Sequence, residues 1–121
     1  MNNYIKIKNI NKKYEKNKTI KVLNDISFNF VSGKIYSIVG PSGSGKSTLL
    51  NLLSLIDSPS SGLIEFNNRK INFDNKIEND YIRSKNIGII YQDKNLLSDF
   101  SAIENVYLPN LLISNDKLTS I

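Results

Sequence analysis

Gly40-Pro41-Ser42-Gly43-Ser44-Gly45-Lys46-Ser47-Thr48 is the stretch on which the fold turns. It fits G-x-x-x-x-G-K-[ST], the P-loop, in which successive backbone N–H groups form a nest around phosphate oxygens. Its glycines let the backbone turn tightly and come close to an anion. In such a loop Lys46 reaches the β- and γ-phosphates of a nucleoside triphosphate, and the Ser47 hydroxyl ligates Mg²⁺. A helix opening near Gly45 adds a positive dipole end aimed at the same anion. The flanks have the order this chemistry needs. Lys34-Ile35-Tyr36-Ser37-Ile38-Val39 reads as a short buried strand running into the loop. The leucine-dense run Thr48 to Ile56 reads as a helix that ends before Asp57-Ser58-Pro59. A flexible Gly/Ser loop would have neither flank.

Bulk properties narrow the class. The chain has 121 residues, 40% of them hydrophobic, which suits one domain. Its mean hydropathy is -0.27. No stretch approaches the roughly 18–20 uninterrupted apolar residues that span a bilayer. The densest apolar run, Leu49 to Ile56, contains Asn51 and Ser54. The N-terminal residues alternate like a strand and lack the apolar core of a signal peptide. Without cysteine there is no disulfide framework and no thiolate zinc site. A cytoplasmic location fits these features. The net charge is +5, with a modest lysine cluster at Lys12, Lys13, Lys16, Lys18 and Lys21. That cluster has no arginine and one aromatic, Tyr14, so it makes a poor nucleic-acid platform and reads as a solvated basic face.

Along the chain, residues 4–30 read as antiparallel strands. Tyr4 to Ile10 alternates, Thr19 to Leu23 is a second candidate, and Ile26, Phe28 and Phe30 mark a third. Val31-Ser32-Gly33-Lys34 is a turn, and Leu63 to Phe66 is a short strand between turn clusters. Ile71 to Asp80 is polar and poorly patterned, with a short helical turn expected at Tyr81 to Lys85. Asn86 to Tyr91 reads as another buried strand, ending at Gln92. Ser101-Ala102-Ile103-Glu104 is a capping box that opens a helix through about Leu108, where Pro109 is expected to interrupt it.

Three groups of residues resemble the ATP-binding subunits of ABC transporters. Leu23-Asn24-Asp25-Ile26-Ser27-Phe28 and Ser32-Gly33-Lys34 lead into the P-loop as they do in that family. Asp57-Ser58-Pro59-Ser60-Ser61-Gly62-Leu63-Ile64 looks like the family's D-x-P-x-x-G-x-I after the P-loop helix. Ile87 to Leu97, with Ala102-Ile103-Glu104-Asn105-Val106 beyond, resembles the Q-loop and the start of the helical subdomain. The wording around Gln92 to Pro109 is most like the lipoprotein-releasing, macrolide-exporting and cell-division branch. The resemblance covers residues 4 to 113.

It implies an α/β fold of the P-loop NTPase type, an ABC nucleotide-binding domain represented by its N-terminal half. Residues 1–33 would form an antiparallel β region with the A-loop. Residues 34–92 would run from the P-loop core to the Q-loop, and residues 93–121 would begin the helical subdomain. ATP and Mg²⁺ are the implied cofactors. Tyr14 matches the A-loop aromatic that stacks on adenine, although its residue-level alternative is a partly buried tyrosine at a strand end. Gly40, Pro41, Ser42, Gly43, Ser44, Gly45, Lys46, Ser47 and Thr48 would wrap the phosphates. Gln92, by itself an ordinary loop glutamine, matches the Q-loop residue that binds Mg²⁺ through its amide oxygen and senses the permease. The implied partners are a separate transmembrane permease and a second nucleotide-binding domain, at the cytoplasmic face of the inner membrane, with no nucleic acid and no membrane span.

The residues also depart from that pattern. No LSGGQ-type signature, no Walker B aspartate with its following glutamate, and no switch histidine occur in the 121 residues. Hydrolysis needs a group that positions water and carboxylate support for Mg²⁺. Residues 1–121 by themselves are therefore expected to bind Mg-ATP weakly, not to turn it over, and to be marginally stable. A non-catalytic nucleotide-binding remnant is the alternative reading. A GTPase would need N-K-x-D, and Asn11-Lys12-Lys13-Tyr14 fails at the fourth position.

Overall fold

Alternation at Tyr4, Ile5, Lys6 and Ile7 builds the start of a long strand, β1 (Asn3–Glu15), which pairs antiparallel with β2 (Thr19–Val31). The computed structural model describes residues 3–15, 18–92 and 96–114. Lys16, Asp93, Lys94, Asn95 and residues 115–121, all part of the readings above, lie outside them. Strict alternation would place Ile7 and Ile10 on opposite faces, yet both are buried. A register shift between them resolves the conflict, with Asn9 at a φ of 48°. Its neighbour on β2, Asp25, is also left-handed at φ 52°, and Asn9 Nδ2 donates to Asp25 Oδ1 at 2.7 Å. The second and third strand candidates are thus one strand, irregular opposite Asn9 rather than broken.

On the other side of β1 lies β3 (Ser61–Phe66), followed by the short β4 (Arg69–Lys70), giving the antiparallel order β2-β1-β3-β4. Gly62 makes the close approach possible. A Cβ there would stand 2.5 Å from the Asn9 carbonyl oxygen, at a φ of 103°. The β3–β4 turn runs through Asn67 and Asn68, both at positive φ, as a two-residue hairpin turn requires.

Two helices belong to the same unit, Met1–Ile87. The first, α1 (Lys46–Leu53), overlaps the leucine-dense run but begins before Thr48 and ends short of Ile56. Leu52 of α1 and Leu55 just beyond it join Ile7, Ile10, Leu23, Ile64, Phe66 and Ile71 in the core. The second, α2 (Lys76–Asn86), is longer than the short turn expected at Tyr81 to Lys85. Its N-cap is Asn75, whose Oδ1 accepts from the Glu78 N–H at 3.2 Å while its Nδ2 donates to Glu78 Oε2 at 2.9 Å. Arg83 Nη1 donates to the Leu55 carbonyl at 3.0 Å, tying α2 to the end of α1.

The strands expected at 34–39 and 86–91 are corrected. Residue 86 ends α2, and residues 34–39 and 87–91 carry no sheet pairing, so Ile35 (99% exposed), Val39 (87%) and Ile90 (100%) stand bare. Their residues favour extension, but a strand exists through its ladder. Among the described residues, none runs alongside residues 34–39 to complete one. Tyr36 still holds this segment to β2. Its hydroxyl accepts the Val31 N–H at 2.9 Å, and its ring meets Phe28 and Phe30 edge-on.

A second unit, Gly88–Ile121, contains α3 (Ala102–Ser114). The capping box forms as expected. The Ser101 N–H donates to Glu104 Oε2 at 2.8 Å, and the Glu104 N–H donates to Ser101 Oγ at 3.3 Å. Pro109 does not end the helix, which runs to Ser114. Proline removes a single backbone N–H, and the helix continues past it.

Candidate functional site

The P-loop sequence forms a compact turn that delivers the chain into α1. The Ser44 N–H donates to the Pro41 carbonyl at 3.3 Å, and the Leu49 N–H donates to Gly45 at 2.9 Å as the helix begins. Gly45 is the N-cap, left-handed at φ 90°. A Cβ there would meet Leu23 Cδ2 and the Val22 carbonyl oxygen at 2.9 Å, so β2 forces a glycine at this position. No side chain caps α1, and no acidic residue occupies its first turn. Its leading N–H groups therefore face outward with a positive dipole end behind them.

Lys46 lies back across the loop. Its Nζ donates to the Gly40 carbonyl at 3.0 Å and to the Pro41 carbonyl at 2.7 Å. Gly40, Pro41, Ser42, Gly43, Ser44 and Ser47 are exposed, whereas Thr48 is half-buried. One loop thus gathers an ammonium, uncapped amides and small hydroxyl side chains with no carboxylate among them. That donor set fits a polyphosphate. Gln92 belongs to the second unit, where it is exposed.

The β1–β2 ladder connects this loop to Tyr14. Leu23, against which Gly45 packs, is the cross-strand partner of Lys12, and Tyr14 follows two residues later. Tyr14 is 40% exposed. Its hydroxyl donates to Asp57 Oδ2 at 3.0 Å, and the Lys12 ammonium stands over its ring, 4.9 Å from the centroid. Lys12 Nζ also donates to Asp57 Oδ1 and to the Ser58 carbonyl, each at 2.7 Å. Burial pushes the Asp57 carboxyl up. The Lys12 ammonium, the Ser58 N–H and the Tyr14 hydroxyl together outweigh burial and hold it below the usual aspartate range.

This cluster revises one reading and adds a residue. Lys12 is buried, 8% exposed and ion-paired, rather than part of a solvated face. Asp57 went unread as a partner of Tyr14. Its sequence signal is slight: Lys12-x-Tyr14 on a strand, and a lone acidic residue after the helix.

With the geometry in view, comparison with known proteins defines the class. The family model described as ABC transporter matches residues 23–121, and the chain belongs to that family. It is 47% identical over 115 residues to the lipoprotein-releasing system ATP-binding protein LolD of Wigglesworthia glossinidia brevipalpis, covering 93% of this chain and 50% of that protein. It is 39% identical over 121 residues to LolD of Rickettsia bellii, covering 99% of this chain and 52% of the relative. Among solved structures, a dimeric post-hydrolysis state of the ATP-binding cassette MJ0796 bound to ADP and Pi superposes with a TM-score of 0.83. That match is 38% identical and covers 89% of this chain and 47% of the cassette. The chain spans about half the length of the curated relatives it matches.

Proposed function

We propose that the chain carries the ATP-holding part of a transporter's energising subunit, serving lipoprotein release or export through a separate transmembrane permease. The observation that carries this is the Gly40–Thr48 loop, with Lys46 and the uncapped start of α1 converging on one open face. Similarity to LolD supports the transport task, and the ADP and Pi held by the MJ0796 cassette support the choice of nucleotide.

In this reading the amides of Ser42 to Thr48 hold the phosphates. Lys46 exchanges its two carbonyl partners for β- and γ-phosphate oxygens, trading neutral acceptors for charged ones. Ser47 would ligate Mg²⁺ and Tyr14 would stack on adenine, and Gln92, in the second unit, would offer its amide oxygen as a Mg²⁺ ligand. Mg²⁺ held there would supply positive charge against the β- and γ-phosphates. Residues 1–33, 34–92 and 93–121 act as β region, nucleotide core and start of the permease-facing helical subdomain. Nucleotide binds between two such domains at the cytoplasmic face of the membrane. Residues 1–121 alone hold Mg-ATP without turning it over, because no group in them positions an attacking water.

Titration with a fluorescent ATP analogue, with and without Mg²⁺, tests this reading. Saturable, Mg²⁺-enhanced binding that Lys46→Ala weakens by about tenfold or more is the expected result. Binding that is indifferent to Lys46→Ala overturns the nucleotide site, and Lys46-dependent phosphate release by residues 1–121 overturns the claim of inactivity.

A further inference from the structure

Resting on the reading of Tyr14 as the adenine platform, we propose that Asp57 and Lys12 are positioning residues. They fix the Tyr14 ring so that one face is covered by the Lys12 ammonium and the other is presented to the base. A tyrosine side chain on an exposed strand end turns freely about its side-chain torsions, and ordering it costs free energy at the moment of binding. Here that ordering is already in place. The hydroxyl is held by Asp57 Oδ2 at 3.0 Å, and the ring is backed by Lys12 Nζ at 4.9 Å from its centroid. Lys12 is itself anchored, at 2.7 Å to both Asp57 Oδ1 and the Ser58 carbonyl.

Asp57 is in turn mounted on the phosphate helix. The Asp57 N–H donates to the Asn51 carbonyl at 3.2 Å, and the Ile56 N–H donates to the same oxygen at 3.0 Å. The N-terminus of α1 therefore faces the phosphate loop while its far end sets the ring. A second link runs from Gly45 through Leu23 to Lys12 across the β1–β2 ladder. Base platform and phosphate loop are joined through one connected frame, which favours a ligand whose adenine and phosphates are joined at a fixed span.

The test compares ATP with inorganic tripolyphosphate, which uses the phosphate loop but has no base, in the full chain. Tyr14→Phe keeps the ring and removes the hydroxyl, and Asp57→Asn removes the charge that holds both partners. Each is expected to weaken ATP binding about five- to tenfold, the scale of one charge-assisted hydrogen bond, and to leave tripolyphosphate affinity unchanged. The double variant is expected to lose little more than either single one, because both break the same contact.

A parallel fall in affinity for both ligands would reduce the cluster to a structural brace and overturn the proposal. Unchanged ATP affinity in Tyr14→Phe overturns it as well, and this variant decides the matter if Asp57→Asn does not fold. Tyr14→Ala separates the two levels. If it abolishes the preference for ATP over tripolyphosphate while Tyr14→Phe and Asp57→Asn retain it, the stacking role stands and the positioning role falls. If the unmodified chain shows no preference for ATP, both fall together.

Discussion

Lys46 spends its ammonium on two backbone carbonyls of its own loop, Gly40 and Pro41, both within hydrogen-bond reach. Those acceptors are neutral, so Lys46→Ala is expected to leave thermal stability nearly unchanged. It should remove about 1.5–3 kcal/mol of binding to a phosphate, roughly 10- to 150-fold in Kd by calorimetry. Asp57 behaves differently, because its carboxylate is already engaged in the fold. Its pKa is lowered, so the stabilisation is fully present above the ordinary aspartate value of about 3.9 and fades as pH falls below it. Asp57→Asn is expected to cost about 1 kcal/mol at neutral pH, with the two unfolding curves converging in that acid window. A gap in denaturant midpoint that persists at pH 2 would contradict this origin. Lys46, Ser47 and Tyr14 were legible as site candidates because a local motif or a strand position names them. The Lys12–Asp57 pair was not, since its members lie 45 residues apart and meet only once the chain has folded.

At the scale of elements, the two side-chain-capped helix starts were unequally visible. Ser101-x-x-Glu104 stands before an apolar run, whereas Asn75-x-x-Glu78 opens a helix whose residues are mostly polar. What holds α2 is tertiary. Ile82 packs on the core, Asn79 is buried with its Nδ2 donating to the Asn72 carbonyl at 2.9 Å, and Arg83 reaches Leu55. Asn75→Ala leaves those contacts intact and removes the cap. It should destabilise by about 1 kcal/mol in a denaturant melt, while Asn75→Ser should be nearly neutral. Gly45→Ala strikes an element junction instead. The added methyl would be driven into the Val22 backbone oxygen at a left-handed φ, so a loss of about 1–3 kcal/mol is expected, together with weaker phosphate binding. The β1–β2 hairpin shows the converse limit of sequence periodicity. Alternation located both strands but could not show that Asn9 and Asp25 reset the register opposite each other, which is what brings Ile10 inward with Ile7.

For the molecule as a whole, hydrophobic patterning specifies which residues favour extension without specifying what pairs with them. Residues 4–7 and 63–66 find neighbours, and Ile7 and Ile64 are almost wholly buried in the antiparallel sheet. Residues 34–39 have a comparable apolar pattern, yet Ile35 and Val39 face solvent and no ladder forms among the described residues. Hydrogen exchange should therefore divide the first unit sharply. Amides of Ile7 and Ile64 should open only with global unfolding, whereas those of Ile35 to Val39 should exchange near the rate of an unstructured peptide. The unpaired edge is also a template for another strand. Protection at 34–39 that grows with protein concentration would mean that a second copy supplies that strand. Protection independent of concentration would mean that the chain pairs the segment internally, contrary to the sheet order seen here. Exchange at the free rate, with ATP still bound in a Lys46-dependent manner, would show that the phosphate loop needs α1 and β2 behind it but not a paired strand in front of it.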